Sequence, residues 1–145
     1  QAQKDKEAKA QRPQESILDD VPVAFPSLLR THKISKKAAK AGFEWDKTED
    51  VIDKIIEELN EFRAELASGS REKQDEELGD VLFSVVQLGR KLDLDCEESL
   101  RKANIKFYNR FSGMEREAKL KNKVLNSLSS GEWEELWQLQ KAKGL

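Results

Sequence analysis

The sequence is poor in cysteine, proline and glycine, with one, three and seven of these residues among 145. The lone Cys96 cannot form an intrachain disulfide, which excludes a disulfide-stabilised scaffold and favours a reducing compartment, so we expect a cytoplasmic protein. No apolar run approaches the roughly 20 residues of a membrane span, and no signal peptide opens the chain. Because few helix breakers interrupt the chain, its composition favours long helices over sheets.

The net charge is also small. Charged residues make up 37% of the chain, but positive and negative side chains nearly balance and the formal net charge is −2. General nucleic-acid-binding proteins usually carry a net basic field, so we expect no nucleic-acid partner and, without a membrane span, no membrane partner. The length fits one domain. Since the first residue is Gln rather than Met, we expect the chain to be a piece of a longer protein.

Residues 1–20 have many charges and almost no large apolar side chains, too few to offset the entropy of ordering. We predict a flexible linker or tail there and a helical domain over residues 21–145. Pro26 is suited to open a first helix and Gly42 to close it, which predicts a helix over the segment SLLRTHKISKKAAKA.

Two further helices follow, with apolar residues every three or four positions, the spacing of one buried helix face. One begins near Asp46, where Asp46 and Glu49 can form a capping pair, and runs to Ser68 and Gly69. The next begins after Ser70 and ends before Asp93. The predicted buried positions are Ile52, Ile55, Leu59, Phe62 and Leu66 in the first of these helices and Leu78, Val81, Leu82, Val85, Leu88 and Leu92 in the second.

A fourth helix is predicted to begin with Asp95 and Glu98 as its capping pair, and its buried stripe is Leu100, Ala103, Phe107, Phe111 and Met114. A short fifth helix, EWEELWQLQKAK, follows. No strand stands out, and short loops imply antiparallel neighbours, so we predict an all-α, antiparallel helical bundle. The wide apolar surface that such a bundle leaves predicts a homodimer.

Two consecutive helices each carry an acid pair three residues apart. The stretch EELNE contains Glu58 and Glu61, and the stretch EELGD contains Glu77 and Asp80. Residues three apart are separated by about 60° around a helix, so each pair shares one face. If these faces meet, four carboxylates converge, and a divalent cation is needed to offset their repulsion. Oxygen ligands favour Mg²⁺, with Mn²⁺ possible.

The placement of Asp80 adds weight to the metal hypothesis. It lies within the largely apolar run LGDVLFSVV, where an unpaired carboxylate would be destabilising. Gly79 beside it weakens the helix by about 1 kcal/mol relative to Ala, which suggests a close approach by a backbone or ligand. The alternative interpretation is a solvated acidic face, because 28 acids in a helical chain produce such spacings by chance.

The segments EELNE and ELGD resemble the Glu-Glu-x-x-Glu and Glu-x-x-Asp signature of the MazG family, within the all-helical NTP pyrophosphohydrolases. The preceding LDDVPVAFPSLLRTHKISKKAAKAGFEW and the later RKANIKFYNRF also resemble this family, so the similarity spans roughly residues 17–140. The long form of the family has two tandem modules, and this chain resembles the C-terminal one.

The resemblance implies a set of site residues. It makes Glu58, Glu61, Glu77 and Asp80 the metal ligands. The positions that it assigns to the nucleotide are Lys54, Glu57, Lys73, Glu76, Asp80, Lys106, Arg110 and Trp137. Glu57 is the candidate general base or water-orienting residue, although the sequence does not separate it from Glu76. Alternatively, Lys106 and Arg110 are surface cations and Trp137 belongs to a packing stripe with Trp133 and Leu136. We interpret His32, the lone histidine, as structural.

These residues lead us to expect an enzyme that hydrolyses a nucleoside triphosphate to the monophosphate and pyrophosphate, with water attacking the α-phosphorus in a Mg²⁺-dependent reaction. A di-iron carboxylate bundle is disfavoured because no histidine follows an acid at Glu-x-x-His spacing. A non-enzymatic helical interaction module and a base-selective dUTP or dCTP pyrophosphatase remain as alternatives. By resemblance we favour a broad nucleotide range, ATP included.

Overall fold

A computed structural model of the chain describes residues 15–145. Within that range the protein is entirely helical, as predicted, with no strand. Two short 3-10 helices, Ile17–Asp20 and Leu125–Ser127, accompany five α-helices. The α-helices are α1 (Ser27–Lys40), α2 (Thr48–Ser68), α3 (Arg71–Lys91), α4 (Cys96–Leu120) and α5 (Ser130–Ala142). None of these helices is both long and apolar enough to cross a membrane.

The chain divides into two compact units, Gln1–Cys96 and Glu97–Leu145. In the described part of the first unit, α3 packs against both α1 and α2, and the 3-10 helix Ile17–Asp20 packs against α1. That 3-10 helix lies in the predicted tail and begins with a reciprocal capping box between Ser16 and Asp19. Residues 1–14 lie outside the described residues, so the linker prediction for them stays a prediction.

The helix ends follow the predicted stop and start residues except at the starts of α2 and α5, and α5 begins at Ser130, two residues before the predicted start. Gly69 has a φ of 71°, a left-handed conformation that suits glycine, and it closes α2. The side chain of Ser70 then accepts a hydrogen bond from the Lys73 backbone N–H and caps α3. The predicted capping role of Asp46 is wrong, because α2 begins at Thr48 and its N-cap residue, Lys47, makes no side-chain cap.

The turn at Gly69 and Ser70 makes α2 and α3 an antiparallel pair. The Gln74 side-chain amide donates to the Glu65 carbonyl at 3.1 Å and holds the two helices together beside the turn. Because the chain reverses direction within two residues, positions at nearly equal distances before and after the turn lie side by side. The two acid pairs occupy such positions, so the helical hairpin places them side by side at the same height along the two helix axes.

A buried arginine fastens the segment between α1 and α2 to the end of α3. The Arg90 side chain is 9% exposed and forms two hydrogen bonds to Glu44, at 2.6 and 2.7 Å, while its Nε donates to the Ser35 hydroxyl at 2.8 Å. Hydrogen bonding to Arg90 lowers the pKa of Glu44 to about 2. Lys91 donates to the Trp45 carbonyl in the same region. This network orders the connection that leads into α2.

The second unit has its own small core. Met114 and Ala118 of α4 and Leu136 of α5 are buried, and Phe111, Trp133 and Trp137 are among the partly buried side chains packed against them. A capping box between Ser129 and Glu132 starts α5. Gln140 is 1% exposed and lies so close to Gly113 that only glycine leaves room for it.

The predicted buried faces are only partly buried. Among the predicted positions Val81 is covered, but Ile52, Leu59 and Leu66 of α2 remain 43%, 47% and 57% exposed. The buried apolar residue of α2 is instead Val51, which was not predicted. The apolar stripe of α3 is likewise open at Leu78, Leu82, Val85 and Leu92, and that of α4 at Leu100, Ala103 and Phe107. On α2, Glu58 is 7% exposed, whereas its apolar neighbour Leu59 is half exposed. The expectation of a continuous apolar contact face is therefore wrong for these positions.

Candidate metal centre

Three acids from α2 and α3 converge at the contact between the two helices. Glu58, Glu77 and Asp80 each present a carboxylate oxygen, and these oxygens all lie within 4.8 Å of one another. Glu58 is 7% exposed and Glu77 is half-buried, but Asp80 is exposed, so the expectation of a buried carboxylate at Asp80 is wrong. Outside the adjacent residues and the backbone of α3 itself, no atom of the described residues lies within 4 Å of where a Cβ of Gly79 would be, so no other backbone approaches closely there. Oxygen atoms at this separation and from two helices can share one cation.

Two carboxylate oxygens in the cluster are buried without a partner. Oε2 of Glu58 and Oε2 of Glu77 have no hydrogen bond to any group in residues 15–145. A buried carboxylate oxygen without a donor is costly, so such atoms usually indicate a ligand that completes the site. The donor set is oxygen only, which fits a hard divalent cation such as Mg²⁺ or Mn²⁺.

The fourth predicted ligand, Glu61, lies beside Glu77 but outside the group of three converging oxygens. The pKa of Glu77 is raised above its ordinary value, first because burial disfavours the charged carboxylate and next because Glu61 and Glu58 are negative neighbours. A hydrogen bond with Glu61 and the charge of Asp80 act in the same direction. The structure therefore brings the four predicted acids into one electrostatic cluster, with Glu61 at its edge.

Lys54 contacts this cluster from one turn earlier in α2. Its Nζ lies 3.1 Å from Oε1 of Glu58 and 3.5 Å from Oε1 of Glu57. The hydrogen bond to Glu58 is the main reason that the pKa of Lys54 is raised. Lys54 therefore engages Oε1 of Glu58, while Oε2 is the oxygen that is buried without a hydrogen-bond partner in residues 15–145. Glu57 is 58% exposed, so it is accessible to solvent beside the cluster.

The other two predicted positions on α3 are open. The Lys73 side chain is exposed, while its backbone N–H is used by the cap of the helix. Glu76 is exposed as well, next to the partly buried Glu77. His32 lies on α1, outside the acid cluster, and is partly buried.

The predicted nucleotide residues of the second unit include one close pair. The Arg110 guanidinium carbon lies 5.0 Å from the centre of the Trp137 ring, a cation–π distance, and Nε of Arg110 donates to the Leu145 carbonyl at 2.6 Å. Phe107 packs on the same tryptophan, with ring centres 6.0 Å apart. Lys106 is exposed. The packing-stripe alternative also has support, because Trp137 contacts the core of this unit.

Comparison with known proteins decides the family. Residues 46–112 match the MazG nucleotide pyrophosphohydrolase domain. The chain carries a MazG domain. It is 40% identical over 134 residues, 91% of its length, to the nucleoside triphosphate pyrophosphohydrolase of Escherichia coli strain K12. It is also 40% identical over 129 residues, 89% of its length, to the nucleoside triphosphate pyrophosphohydrolase/pyrophosphatase MazG of Thermotoga maritima.

These relatives are longer proteins. The chain covers 51% of the Escherichia coli protein and 49% of the Thermotoga maritima protein, so it spans about half the length of each. A third relative, the uncharacterized protein YabN of Bacillus subtilis, is 36% identical over 133 residues, which are 91% of this chain and 27% of YabN.

The matched segment of the MazG domain contains both helices of the acid cluster and most of α4. All four acids fall within it, as do Lys106 and Arg110, whereas Trp137 lies beyond its end. The sequence did not reveal the contacts of Lys54 with Glu58, of Phe107 with Trp137, or of Arg110 with the Leu145 carbonyl. Only the contact of Lys54 with Glu58 had a signal in the sequence. The two residues are four positions apart, and residues i and i+4 are neighbours on a helix.

Proposed function

We propose that this chain hydrolyses nucleoside triphosphates to the nucleoside monophosphate and pyrophosphate with the help of a divalent cation, Mg²⁺ in the first place. The observation that carries the proposal is the pair of partnerless buried oxygens on Glu58 and Glu77 within a three-acid cluster. The names of the two 40% identical relatives support the same activity.

Glu58, Glu77 and Asp80 would hold the cation, with Glu61 as a fourth ligand. Bound there, Mg²⁺ supplies positive charge that stabilises the attacking and departing oxygens of the phosphoryl transfer. Lys54 orients Glu58 through its hydrogen bond and offers positive charge to a phosphate group. Glu57, which is exposed beside the cluster, would orient the water that attacks the α-phosphorus and accept its proton. Glu76 is the alternative base on α3.

The remaining nucleotide contacts follow from the resemblance. Lys73 on α3 and Lys106 and Arg110 on α4 would bind phosphate oxygens, for which the guanidinium fork of Arg110 is well suited. Trp137 would stack on the base. Stacking accepts any base, so this arrangement favours a broad nucleotide range over a dUTP or dCTP specialist.

We further propose a homodimer in the cytoplasm. Seven large apolar side chains on α2 and α3 are between 43% and 57% exposed, namely Ile52, Ile56, Leu59, Leu66, Leu78, Leu82 and Val85. An open apolar surface of this extent is usually covered by a partner. Light scattering during size exclusion should give twice the monomer mass, and a monomer at micromolar concentration would contradict this part of the proposal.

The activity is tested by pyrophosphate release from a panel of ribo- and deoxynucleoside triphosphates with Mg²⁺, Mn²⁺ or EDTA. Glu61→Gln and Asp80→Asn should each lower the rate at least about a hundredfold, the scale expected when a metal ligand or its orientation is lost. Asp75→Asn is the matched control, because Asp75 is an exposed acid of α3 outside the cluster. Full activity in both cluster variants would refute the metal assignment.

The same preparation separates the enzyme from a non-enzymatic interaction module. An enzyme should gain thermal stability from Mg²⁺ with a non-hydrolysable triphosphate, because ligands that bind only the folded state stabilise it. A module should show neither this gain nor pyrophosphate release. Pyrophosphate release from nucleoside triphosphates of only one base would instead identify the base-selective alternative.

A further inference from the structure

Helix α1 carries positive charge on one face and no acid anywhere along its length. Lys33, Lys36, Lys37 and Lys40 are spaced three and four residues apart, so they are neighbours on a single face. Lys37 forms an ion pair with Asp20 at 2.6 Å. In the described part of the chain no carboxylate lies within ion-pair distance of the other three lysines, which are exposed.

These four lysines line a cavity of about 290 Å³ in the first unit. The opposite wall is the segment between the 3-10 helix Ile17–Asp20 and α1, where Val21, Pro22 and Phe25 present apolar surface. Val21 is 5% exposed and Phe25 is half-buried. Asp20 is the one acidic residue among the lining side chains. The cavity therefore combines four cations, one anion and an apolar wall.

The electrostatic field at the C-terminus of α1 explains only part of this clustering of lysines. Cations are favoured near a helix C-terminus, which accounts for Lys37 and Lys40 in the last turn of α1. Lys33 and Lys36 lie further back, where that effect has decayed, and like charges at this spacing repel. A basic helix face that is only solvated would also not need the apolar wall that lines the same cavity. An anionic ligand would relieve the repulsion and cover the wall.

We propose that this cavity, the lysine cleft, binds a small phosphate ester with an apolar or aromatic part, of the nucleoside monophosphate class. Ammonium groups from adjacent turns bind the oxygens of one phosphate as point charges. A volume of about 290 Å³ accommodates a small molecule rather than a polymer. The lysine cleft is separate from the acid cluster and shares no residue with it. Its occupation does not depend on the proposed hydrolysis.

Binding is measured by calorimetry on the whole chain in EDTA, with AMP as the probe and inorganic phosphate as the comparison. Lys33→Gln and Lys36→Gln should each weaken AMP binding about three- to fivefold, and the variant with Lys33, Lys36 and Lys40 all changed to Gln at least about twentyfold. Lys141→Gln, an exposed lysine of α5, is the matched control and should bind AMP like the wild type. Circular dichroism and melting confirm that each variant is folded.

The outcomes separate this site from the acid cluster. AMP binding that survives in Asp80→Asn and is lost in the triple lysine variant supports the lysine cleft, whatever the hydrolysis assay shows. Equal binding by the wild type and the triple variant overturns the proposal, as does the absence of AMP binding at millimolar concentration. Equal affinity for AMP and inorganic phosphate overturns the role of the apolar wall. Binding of a short oligonucleotide through these lysines, with no binding of AMP, would overturn the proposed small ligand and identify nucleic acid as the ligand of this site.

Discussion

Glu44→Gln tests how strongly the buried Arg90 network stabilises the first unit. Lowering the pKa of Glu44 from 4.5 to about 2 corresponds to an upper limit of about 3 kcal/mol in the free energy of unfolding at neutral pH. The Glu44 side chain is 32% exposed, so solvent screening reduces this figure, and we expect a loss of about 1–2 kcal/mol. The loss includes the cost of leaving Arg90, 9% exposed, without its anionic partner.

The pH dependence makes this prediction specific. A carboxyl group whose pKa is lowered by folding stabilises the protein above its unfolded pKa, and that contribution disappears as the pH falls from 4.5 towards 2. Urea unfolding at pH 7 and at pH 3 should therefore show a difference between wild type and Glu44→Gln that shrinks by about half or more at pH 3. Glu115 is an exposed acid of α4 that forms no ion pair within residues 15–145, so Glu115→Gln should change stability by less than about 0.5 kcal/mol. An equal loss at both pH values would show that charge is not the cause.

Three further changes test other parts of the molecule. Gly113→Ala would place its new methyl group 2.0 Å from Oε1 of the buried Gln140, so we expect a loss of about 1–3 kcal/mol in urea unfolding, and wild-type stability would disprove the contact. Ser129→Ala removes the cap of α5 and should cost about 1 kcal/mol by the same measurement, whereas Ser129→Gly should cost only a few tenths. Mg²⁺ should raise the melting temperature of the wild type but not of Glu77→Gln, and without metal the variant should melt higher at pH 7. The raised pKa of Glu77 means that the metal-free protein loses stability as the pH rises above 4.5, and a variant that melts lower would contradict this reasoning.

The sequence was sufficient to locate the helices, because the signals for their ends are local. Pro26, Gly69 and Ser70 act within one turn of their own positions, through backbone conformation and short hydrogen bonds. Asp46 failed as a cap for the same local reason, since the helix begins two residues later and its side chain is not in the capping position. Small shifts of this kind are common where several residues compete to start a helix.

The meeting of the acid pairs was also accessible from the sequence. Only two residues separate α2 from α3, and helices joined by so short a loop usually pack as antiparallel neighbours. This reversal of the chain brings Glu58 and Glu61 opposite Glu77 and Asp80. The sequence could not show which carboxylate would be buried. That depends on how far each helix rotates about its own axis, and the observed rotation buries Glu58 while Leu59 stays exposed.

By itself, then, the sequence determined the all-helical class, the helix boundaries to within about two residues and the acids that face each other across one turn. The tertiary structure alone decided the contacts between residues far apart in the chain. Arg90 pairs with Glu44 across 46 positions, Arg110 reaches the Leu145 carbonyl across 35, and Lys37 reaches Asp20 across 17. Local propensities and periodicity act over a few residues, whereas these contacts follow from the packing of whole helices, which no short segment encodes.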